Sequence, residues 1–263
     1  MTTSTPSRYE AGPEGVADYF SALVARLSHV LGRELVGVYA GGSLALGAYI
    51  HGRSDLDVAA VSRSRVSLPV RQAIAAALRH EALPCPARGL ELVLYRLELT
   101  RSATTDAGFE LNLNTGREMA FRADYEPDPA EAFWFPIDRS ILAQYGIALI
   151  GPPARDVFAR IPNQDLVPVI VESLRWHGHG MGRGGDAVLN ACRSLRFAVE
   201  DVWSSKPEAG HWALDKVEDP ELVRAALAAP RDDRALDPQA VARFVATTAS
   251  LLAQTTTAGG VRR

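Results

Sequence analysis

The residue pair best suited to chemistry is Asp55 and Asp57, which interrupt an apolar run near the end of "YAGGSLALGAYIHGRSDLDVAAV", residues 39–61. Alternate residues of a β-strand point to the same face, so the aspartates project together while Leu56 and Val58 point into the core. Adjacent carboxylates repel each other and are costly to bury without a cation. Their hard oxygens favour Mg²⁺, bound jointly with substrate phosphates.

A second candidate element is Gly41-Gly42-Ser43, which follows a short β-type run. Glycine permits a close backbone approach, and exposed N–H groups together with the Ser43 hydroxyl can hold phosphate oxygens. The intervening "LALGAYIHGR" is long enough for a short helix and a return turn. One unit of the chain therefore predicts both a phosphate-binding loop and a pair of metal-binding carboxylates.

A third carboxylate, Glu91, lies in "GLELVLY", where it again interrupts an apolar strand. If this strand pairs beside the aspartates, three carboxylates converge at one end of the sheet. Glu91 can then either bind metal or accept a proton from an attacking hydroxyl. Taken singly, an Asp-x-Asp pair usually marks a strand edge or a turn. The order of the motifs, with Ser54 directly before the pair, favours the chemical interpretation.

The elements that must position these residues are indicated by periodicity and turn signals. Apolar residues from Val16 to Leu31 recur at helical spacing. Strands are predicted over 34–40, 55–61 and 90–99, helices over 71–83 and most of 127–146, and a last strand in "IALIGPP". The stretch "FELNLNTGREMAF" is compatible with a strand or an irregular loop.

The pattern changes after about residue 160, where only helix-like segments follow. We place a domain boundary within 152–162 and predict an α+β N-terminal catalytic domain, residues 1–157, built on a small mixed sheet. An all-α helical bundle, residues 158–263, completes the predicted fold.

Composition narrows the class of protein. The chain has 263 residues, 47% of them hydrophobic, and a net charge of −3, which disfavours a nucleic-acid-binding role. Its two cysteines form neither a disulfide framework nor a zinc pattern. The polar N-terminus lacks a signal-peptide core, and no apolar run reaches the length of a membrane span. We expect a cytoplasmic monomer that binds neither nucleic acid nor a membrane.

The spacing from Gly42-Ser43 to Asp55-Leu56-Asp57 resembles the signature of the DNA polymerase β-like nucleotidyltransferase superfamily. "GLELVLY", "IALIGPPARDVFARIPNQDL" and "NACRSLRFAVEDVWSSKPEAGHWAL" are similar to segments of the aminoglycoside nucleotidyltransferases, in particular the streptomycin/spectinomycin adenylyltransferase group. The resemblance covers about residues 35–220. Its most specific part is "SSKPEAGHWAL".

This resemblance implies a two-domain enzyme with its active site in the cleft between the domains. It implies that Asp55 and Asp57 hold Mg²⁺, that Glu91 is the general base and that ATP is the co-substrate. The nucleotide-binding residues it implies are Gly42, Ser43, Ser54, Arg193 and Lys206. Without the resemblance, Arg193 is equally well explained as part of a solvated helix face.

The chain departs from its streptomycin-modifying relatives around the acceptor. Where they carry a tryptophan after the strand equivalent to "ELNLNTG", this chain has Gly116. Their acidic loop is replaced here by "HGHGMGRGGD". The substrate-binding residues implied are Trp176, His179, Arg183 and Asp186, of which only the last is acidic. A polycationic antibiotic favours carboxylates, so spectinomycin is preferred over streptomycin.

The remaining histidine and aromatic motifs are explained by structural roles rather than by metal or ligand binding. His177 and His179 lack a third metal ligand nearby and fit a surface loop. The aromatic run at residues 133–135, together with Trp203 and Trp212, fits core and helix packing.

The predicted function is transfer of AMP from Mg-ATP to a hydroxyl of an aminoglycoside or aminocyclitol antibiotic, which would confer resistance. Two alternatives stay open at this point: nucleotidyl transfer to a protein or another natural product, and a non-catalytic nucleotide-binding regulatory module. Intact Asp55, Asp57 and Glu91 argue against the non-catalytic module.

Overall fold

The computed structural model of the chain describes residues 14–178, 184–228 and 236–259. The chain divides into two compact units. Unit 1 comprises residues 1–102, 108–128 and 145–159, and unit 2 comprises residues 103–107, 129–144 and 160–263.

Unit 1 is built on a mixed β-sheet. Its strands are β1 (Leu35–Ala40), β2 (Leu56–Ser62), β3 (Leu90–Arg96), β4 (Phe109–Thr115), β5 (Arg122–Asp124) and β6 (Ile147–Ile150). The spatial order is β5-β4-β3-β2-β1-β6. β2 and β3 run parallel, and the other neighbouring strands run antiparallel. The predicted mixed sheet is therefore confirmed.

Helices of unit 1 cover and connect this sheet. They are α1 (Val16–Leu31), α2 (Gly42–Ala45), α3 (Leu68–Leu78) and α4 (Leu97–Thr100). The apolar residues that predicted α1 are all buried: Val16, Tyr19, Phe20, Leu23, Leu27 and Leu31. They join the core formed by the inward-facing residues of the strands. Each such side chain stabilises the fold by about 1.5–3 kcal/mol when fully buried.

The parallel pairing of β2 with β3 requires a long crossover connection, because a tight turn can join only antiparallel strands. α3 lies within that crossover, and Pro69 stands at its start, where its missing N–H costs nothing. This connection places β3 directly beside β2. The crossover therefore brings the third predicted carboxylate next to the first two.

Some predicted boundaries differ from the structure. The helix predicted over 71–83 ends at Leu78, because Arg79 has an extended backbone with ψ of 149°. The strand predicted over 90–99 ends at Arg96, and the chain then forms the single turn of α4. "FELNLNT" is a regular strand, β4, which settles the alternative left open by its sequence.

In the ranges that the structure describes, unit 2 is helical. Its helices are α5 (Trp134–Tyr145), α6 (Asn163–Trp176), α7 (Gly184–Glu200), α8 (Lys206–Ala213), α9 (Pro220–Ala228) and α10 (Pro238–Gly259). Short 3₁₀ turns lie at Gly32–Glu34 and Ala154–Asp156 in unit 1 and at Pro129–Glu131 in unit 2. α7 packs against α8, α9 and α10, and α6 packs against α10. None of the helices in the described ranges has the length and hydropathy of a membrane span.

The division of the chain is more interleaved than a single boundary at residue 157. The chain last passes from unit 1 to unit 2 between residues 159 and 160, inside the predicted window, but residues 103–107 and 129–144 also belong to unit 2. Arg139, only 2% exposed, explains part of this assignment. Its guanidinium donates to the carbonyl oxygens of Thr104, Asp106 and Ala107 at 2.8, 2.8 and 3.1 Å. A contact between one buried side chain and distant backbone carbonyls leaves no periodic signal in the sequence.

Arg139→Met should lower the free energy of unfolding of unit 2 by about 2–4 kcal/mol, because hydrogen bonds to a charged donor are lost in a buried place. All four tryptophans of the chain lie at positions assigned to unit 2, so tryptophan fluorescence during urea unfolding reports on this unit. Arg243→Met is the control, since Arg243 also lies in unit 2 and 69% of its side chain is exposed. Equal effects of the two substitutions would show that the carbonyl contacts of Arg139 contribute no stability.

Candidate active site

The centre of the candidate site is formed by Asp57 and Glu91, which are register partners on the parallel strands β2 and β3. Neighbouring strands lie about 4.8 Å apart, and register partners share one face of the sheet. The residues on either side of Asp57 are buried, as are those on either side of Glu91, whereas the two acids are partly exposed. The alternation predicted from the sequence is thus present, and it brings two of the three carboxylates side by side.

Asp55 stands immediately before β2, and its carboxylate is bound by an arginine that sequence reasoning missed. Nη2 of Arg88 lies 2.7 Å from Oδ2 of Asp55, with the two side chains 35% and 25% exposed. The backbone N–H of Arg88 donates to the carbonyl of Ser54, and that of Leu56 donates to the carbonyl of Gly89. These bonds hold the two chain segments together just before β2 and β3 begin.

Gly42 fits against Asp57 in a way that only glycine permits. It begins α2 with φ of +51°, and a Cβ at this position would overlap the Asp57 carboxylate. The N–H of Gly41 also donates to the backbone carbonyl of Asp57, at 2.9 Å. Because Gly42 has no side chain, the glycine loop lies directly against Asp57, the candidate metal ligand.

The two serines differ in their surroundings. Oγ of Ser43 is buried and has no hydrogen-bond partner among the described residues, which is costly unless a ligand supplies one. Ser54 is 4% exposed, and its Oγ accepts the backbone N–H of Ile50 at 3.0 Å. This bond helps to close the turn before the aspartates. The Ser54 hydroxyl proton is still able to donate to an oxygen, so its predicted phosphate contact stays a prediction.

A polar row continues across the sheet from the two central acids. Glu91 is the register partner of Asn114 on β4, which in turn is the partner of Arg122 on β5. Arg122 forms an ion pair with Asp124 at 2.7 Å. The sequence did not single out Asn114 or Arg122. The one available signal was the polar alternation in "FELNLNT", which identifies a face only once its partner strand is known.

The donor set suits Mg²⁺ held together with phosphate. No group of three His, Cys, Asp or Glu side chains in the described residues is arranged to hold a metal by protein ligands alone. Mg²⁺ at nucleotide sites needs only one or two carboxylates, because the substrate phosphates and water complete its coordination. Asp57 lies against the loop that carries the buried Ser43 hydroxyl. Asp55 and Asp57 are therefore adequate ligands for such an ion.

In unit 2, Lys206 begins α8, after Ser205 as the N-terminal cap. Nζ of Lys206 lies 2.9 Å from Oδ1 of Asp186, and the two side chains are 37% and 42% exposed. The sequence had assigned these residues separately to nucleotide and acceptor. The structure brings them together as an ion pair, and a pair this exposed contributes little to stability.

Arg193 is held more firmly than a residue on a solvated helix face. Its guanidinium donates to Oδ1 of Asn190 at 2.7 Å and lies 5.6 Å from the ring centre of Trp203. Trp203 is 2% exposed, stacks on Phe197 and donates from its indole N–H to Ser140 at 2.9 Å. A fixed, partly buried arginine is well suited to bind an anion.

Trp176 lies in a group of aromatic side chains at the end of α6. Its ring centre is 5.4 Å from that of Trp134 and 5.1 Å from that of His177. All three side chains are partly exposed, whereas Phe133 and Phe135 are buried. Burial, with a smaller contribution from the charges of nearby basic residues, lowers the pKa of His177, which favours neutral imidazole. The predicted residues His179 and Arg183 lie outside the described residues.

Both cysteines are free and buried. Burial raises the pKa of the Cys85 thiol and raises that of Cys192 to about 12. A nucleophilic cysteine needs a lowered pKa, so these thiols are unsuited to covalent catalysis.

One family model matches most of the C-terminal helical part of the chain. Residues 156–254 match the family model described as aminoglycoside adenylyltransferase, C-terminal domain. This match confirms that the C-terminal part of the chain resembles the aminoglycoside adenylyltransferases. The matched range contains α6, α7, α8 and α9, and with them Arg193, Lys206 and the Trp176 position. The predicted enzyme class, a nucleotidyltransferase of the aminoglycoside adenylyltransferase type, is confirmed by this match.

Solved structures extend the likeness to the whole fold. The chain is similar to the crystal structure of spectinomycin adenyltransferase AAD(9) from Enterococcus faecialis with ATP and spectinomycin, with a TM-score of 0.65 and 14% sequence identity. The likeness covers 89% of this chain and 98% of that one. A search of curated protein sequences gives no match. The predicted fold, a mixed-sheet catalytic domain followed by a helical domain, is confirmed, and the likeness at this identity concerns the fold alone.

Proposed function

We propose that this adenylyltransferase-family chain transfers AMP from Mg-ATP to a hydroxyl of an aminocyclitol or aminoglycoside antibiotic, with spectinomycin preferred over streptomycin. The observation that carries the proposal is the arrangement of Asp57 and Glu91 on adjacent strands, with the Gly42-Ser43 loop packed against Asp57. A phosphate-binding loop, a metal-binding carboxylate and a candidate base thereby meet at one end of the sheet.

The proposed chemical step is in-line attack of the acceptor hydroxyl oxygen on the α-phosphorus of ATP. The new bond joins that oxygen to phosphorus, the bond between the α-phosphorus and its bridging oxygen breaks, and pyrophosphate leaves. Glu91 accepts the hydroxyl proton, because it is a partly exposed carboxylate beside the metal-binding candidate. The hydroxyl of Ser43 donates to a phosphate oxygen, which satisfies its buried Oγ.

Asp55 and Asp57 are the residues that would hold Mg²⁺. When bound, the ion neutralises charge that develops on the phosphate oxygens. Arg193 and Lys206 are assigned to the triphosphate by the family resemblance. As fixed cations they would stabilise the departing pyrophosphate. The restraint of Arg193 by Asn190 and Trp203 supports its assignment, because a preorganised donor needs little rearrangement when the anion arrives.

The preference for spectinomycin rests on the residues around the acceptor. A Cβ on Gly116 would lie 2.5 Å from the carbonyl oxygen of Arg88 and 2.5 Å from Cα of Gly89. The backbone of this chain therefore has no room for the tryptophan that streptomycin-modifying relatives carry at the matching position. The partly exposed Trp134, Trp176 and His177 offer a largely apolar, uncharged surface in unit 2. The similar solved structure is that of a spectinomycin adenyltransferase with spectinomycin present, which supports the same preference.

The direct test is to incubate the protein with Mg-ATP and either spectinomycin or streptomycin, and to look by mass spectrometry for an antibiotic that has gained one AMP. We expect adduct formation with spectinomycin to be faster. A matched reaction without ATP is the control. Faster modification of streptomycin would contradict the assigned preference, and no adduct on any antibiotic, with AMP found on protein instead, would contradict the acceptor class.

Lys206→Ala should weaken Mg-ATP binding by about tenfold or more, because a hydrogen bond to a charged group is worth about 1.5–3 kcal/mol. Calorimetric titration of the variant with Mg-ATP measures this directly. Lys216→Ala is the matched control, since Lys216 also lies in unit 2 and pairs with a neighbouring aspartate at 2.7 Å. An affinity equal to that of the control would assign Lys206 solely to its ion pair with Asp186.

A further inference from the structure

The Arg88–Asp55 ion pair is more constrained than an ordinary surface pair. The N–H of Arg88 donates to Ser54 at 3.1 Å, and its carbonyl oxygen accepts from Glu118 at 3.4 Å. Gly116 packs against the same carbonyl. The backbone that carries the guanidinium is therefore fixed on both sides, and Arg88 reaches Asp55 from a defined position.

The ion pair lies close to two further carboxylates. Asp55 directly precedes β2, two residues before Asp57, and Asp57 and Glu91 are register partners. Three carboxylates in so small a region repel one another, which destabilises the ionised form of each unless a cation lies nearby. The guanidinium of Arg88 supplies positive charge at 2.7 Å from Asp55.

We propose that Arg88 is the built-in counter-ion of this carboxylate group, and that it competes with the divalent cation for Asp55. The proposal rests on the proposed function, because it takes Asp55 as a ligand of the metal. Arg88 stabilises the metal-free chain and opposes binding of a divalent ion that arrives without nucleotide. An ion that arrives with ATP brings phosphate ligands of its own and overcomes this opposition. Arg88 thus makes metal binding depend on the nucleotide and acts as a positioning residue through Asp55.

The test compares Arg88→Gln with Arg88→Lys by titrating the protein with Mn²⁺ alone, followed by electron paramagnetic resonance of the free ion. Arg88→Gln should bind Mn²⁺ at least about tenfold more tightly than the unchanged protein, since a positive charge a few ångströms from the ion is removed. Arg88→Lys keeps the charge and should stay close to the unchanged protein. A purely structural role for Arg88 predicts equal or weaker Mn²⁺ binding in Arg88→Gln, and that result would overturn the proposal.

A second readout needs no metal. In a chelating buffer, Arg88→Gln should lower the melting temperature, and adding Asp55→Asn to it should recover part of the loss, because the uncompensated carboxylate is then gone. The double-mutant cycle isolates the coupling between the two residues. Additive losses would show that the pair does not compensate charge, and would overturn the counter-ion role.

Failure of the proposed function would look different. The unchanged protein should bind Mn²⁺ in the presence of ATP, and Asp57→Asn should lose that binding. If the unchanged protein binds no Mn²⁺ with ATP, the proposed function fails and the competition with metal fails with it. If that binding is present and depends on Asp57, while Arg88→Gln gains no affinity for Mn²⁺ alone, only the inference about Arg88 is overturned.

Discussion

Asp57→Asn should reduce AMP transfer by at least about 10³-fold, because a metal that neutralises phosphate charge contributes several kcal/mol to the transition state. The carboxylate is placed for this role by β2, whose flanking residues Leu56 and Val58 are buried, and by the close approach of Gly42. The amide keeps the size of the side chain but lacks its negative charge. Product formation with spectinomycin, followed under saturating Mg-ATP, measures the loss.

The fold of this variant should be unaffected, since removing one of several neighbouring carboxylates relieves repulsion. The melting temperature should therefore stay unchanged or rise. Asp124→Asn is a suitable control, because Asp124 lies in the same sheet on β5 and pairs with Arg122. It should keep most of the activity. Near-normal turnover by Asp57→Asn with any acceptor would disprove the metal assignment.

Glu91→Gln should slow the chemical step by about 10²–10⁴-fold while Mg-ATP still binds, as expected for loss of a general base. Glutamine retains the shape and hydrogen bonding of the side chain but cannot accept the hydroxyl proton. The register of Glu91 with Asp57 is compatible with either of its proposed roles. Two aspartates suffice for an ion shared with phosphates, which favours the base.

Calorimetry with Mg-ATP and single-turnover rates, measured on the same Glu91→Gln protein, separate these roles. A loss of affinity that matches the loss of rate would make Glu91 a third metal ligand instead of the base. Glu98→Gln provides a control for changes of charge near β3, since 88% of that side chain is exposed. It should change neither quantity.

The part of the site that could be predicted from the sequence is the part that depends on local geometry. Strand alternation predicts that Asp55 and Asp57 share one face. In the structure Asp55 stands just before β2, and the burial of Leu56 and Val58 on either side of Asp57 follows the alternation. The sequence indicated that the glycines allow a close backbone approach, and the structure shows such an approach between Gly42 and the Asp57 carboxylate. Each of these features is decided by a few consecutive residues.

Features that depend on register between strands could not be predicted. Arg88 meets Asp55 only because the parallel pairing of β2 and β3 places Leu90 opposite Leu56. The interpretation of Gly116 required its packing on the backbone of Arg88 and Gly89. Neither the Arg88–Asp55 ion pair nor the packing of Gly116 can be inferred from the sequence alone.

The interleaving of the two units escaped prediction for a similar reason. Residues 129–144 have a helical pattern that is compatible with either unit. What assigns them is long-range contact, such as the bonds from Arg139 to the carbonyls of residues 104–107 and the contact of Trp203 with Ser140. The ion pair of Lys206 with Asp186 likewise joins α8 to α7.

The most direct measurement compares ATP that carries a radioactive label at the α-phosphate with ATP labelled at the γ-phosphate, each incubated with the protein, Mg²⁺ and spectinomycin. Transfer of AMP predicts that the purified antibiotic carries label only from the α-position, and that Asp57→Asn abolishes this incorporation. Label from the γ-position on the antibiotic would identify phosphoryl transfer and contradict the nucleotidyltransferase mechanism. Incorporation from neither position would contradict spectinomycin as the acceptor.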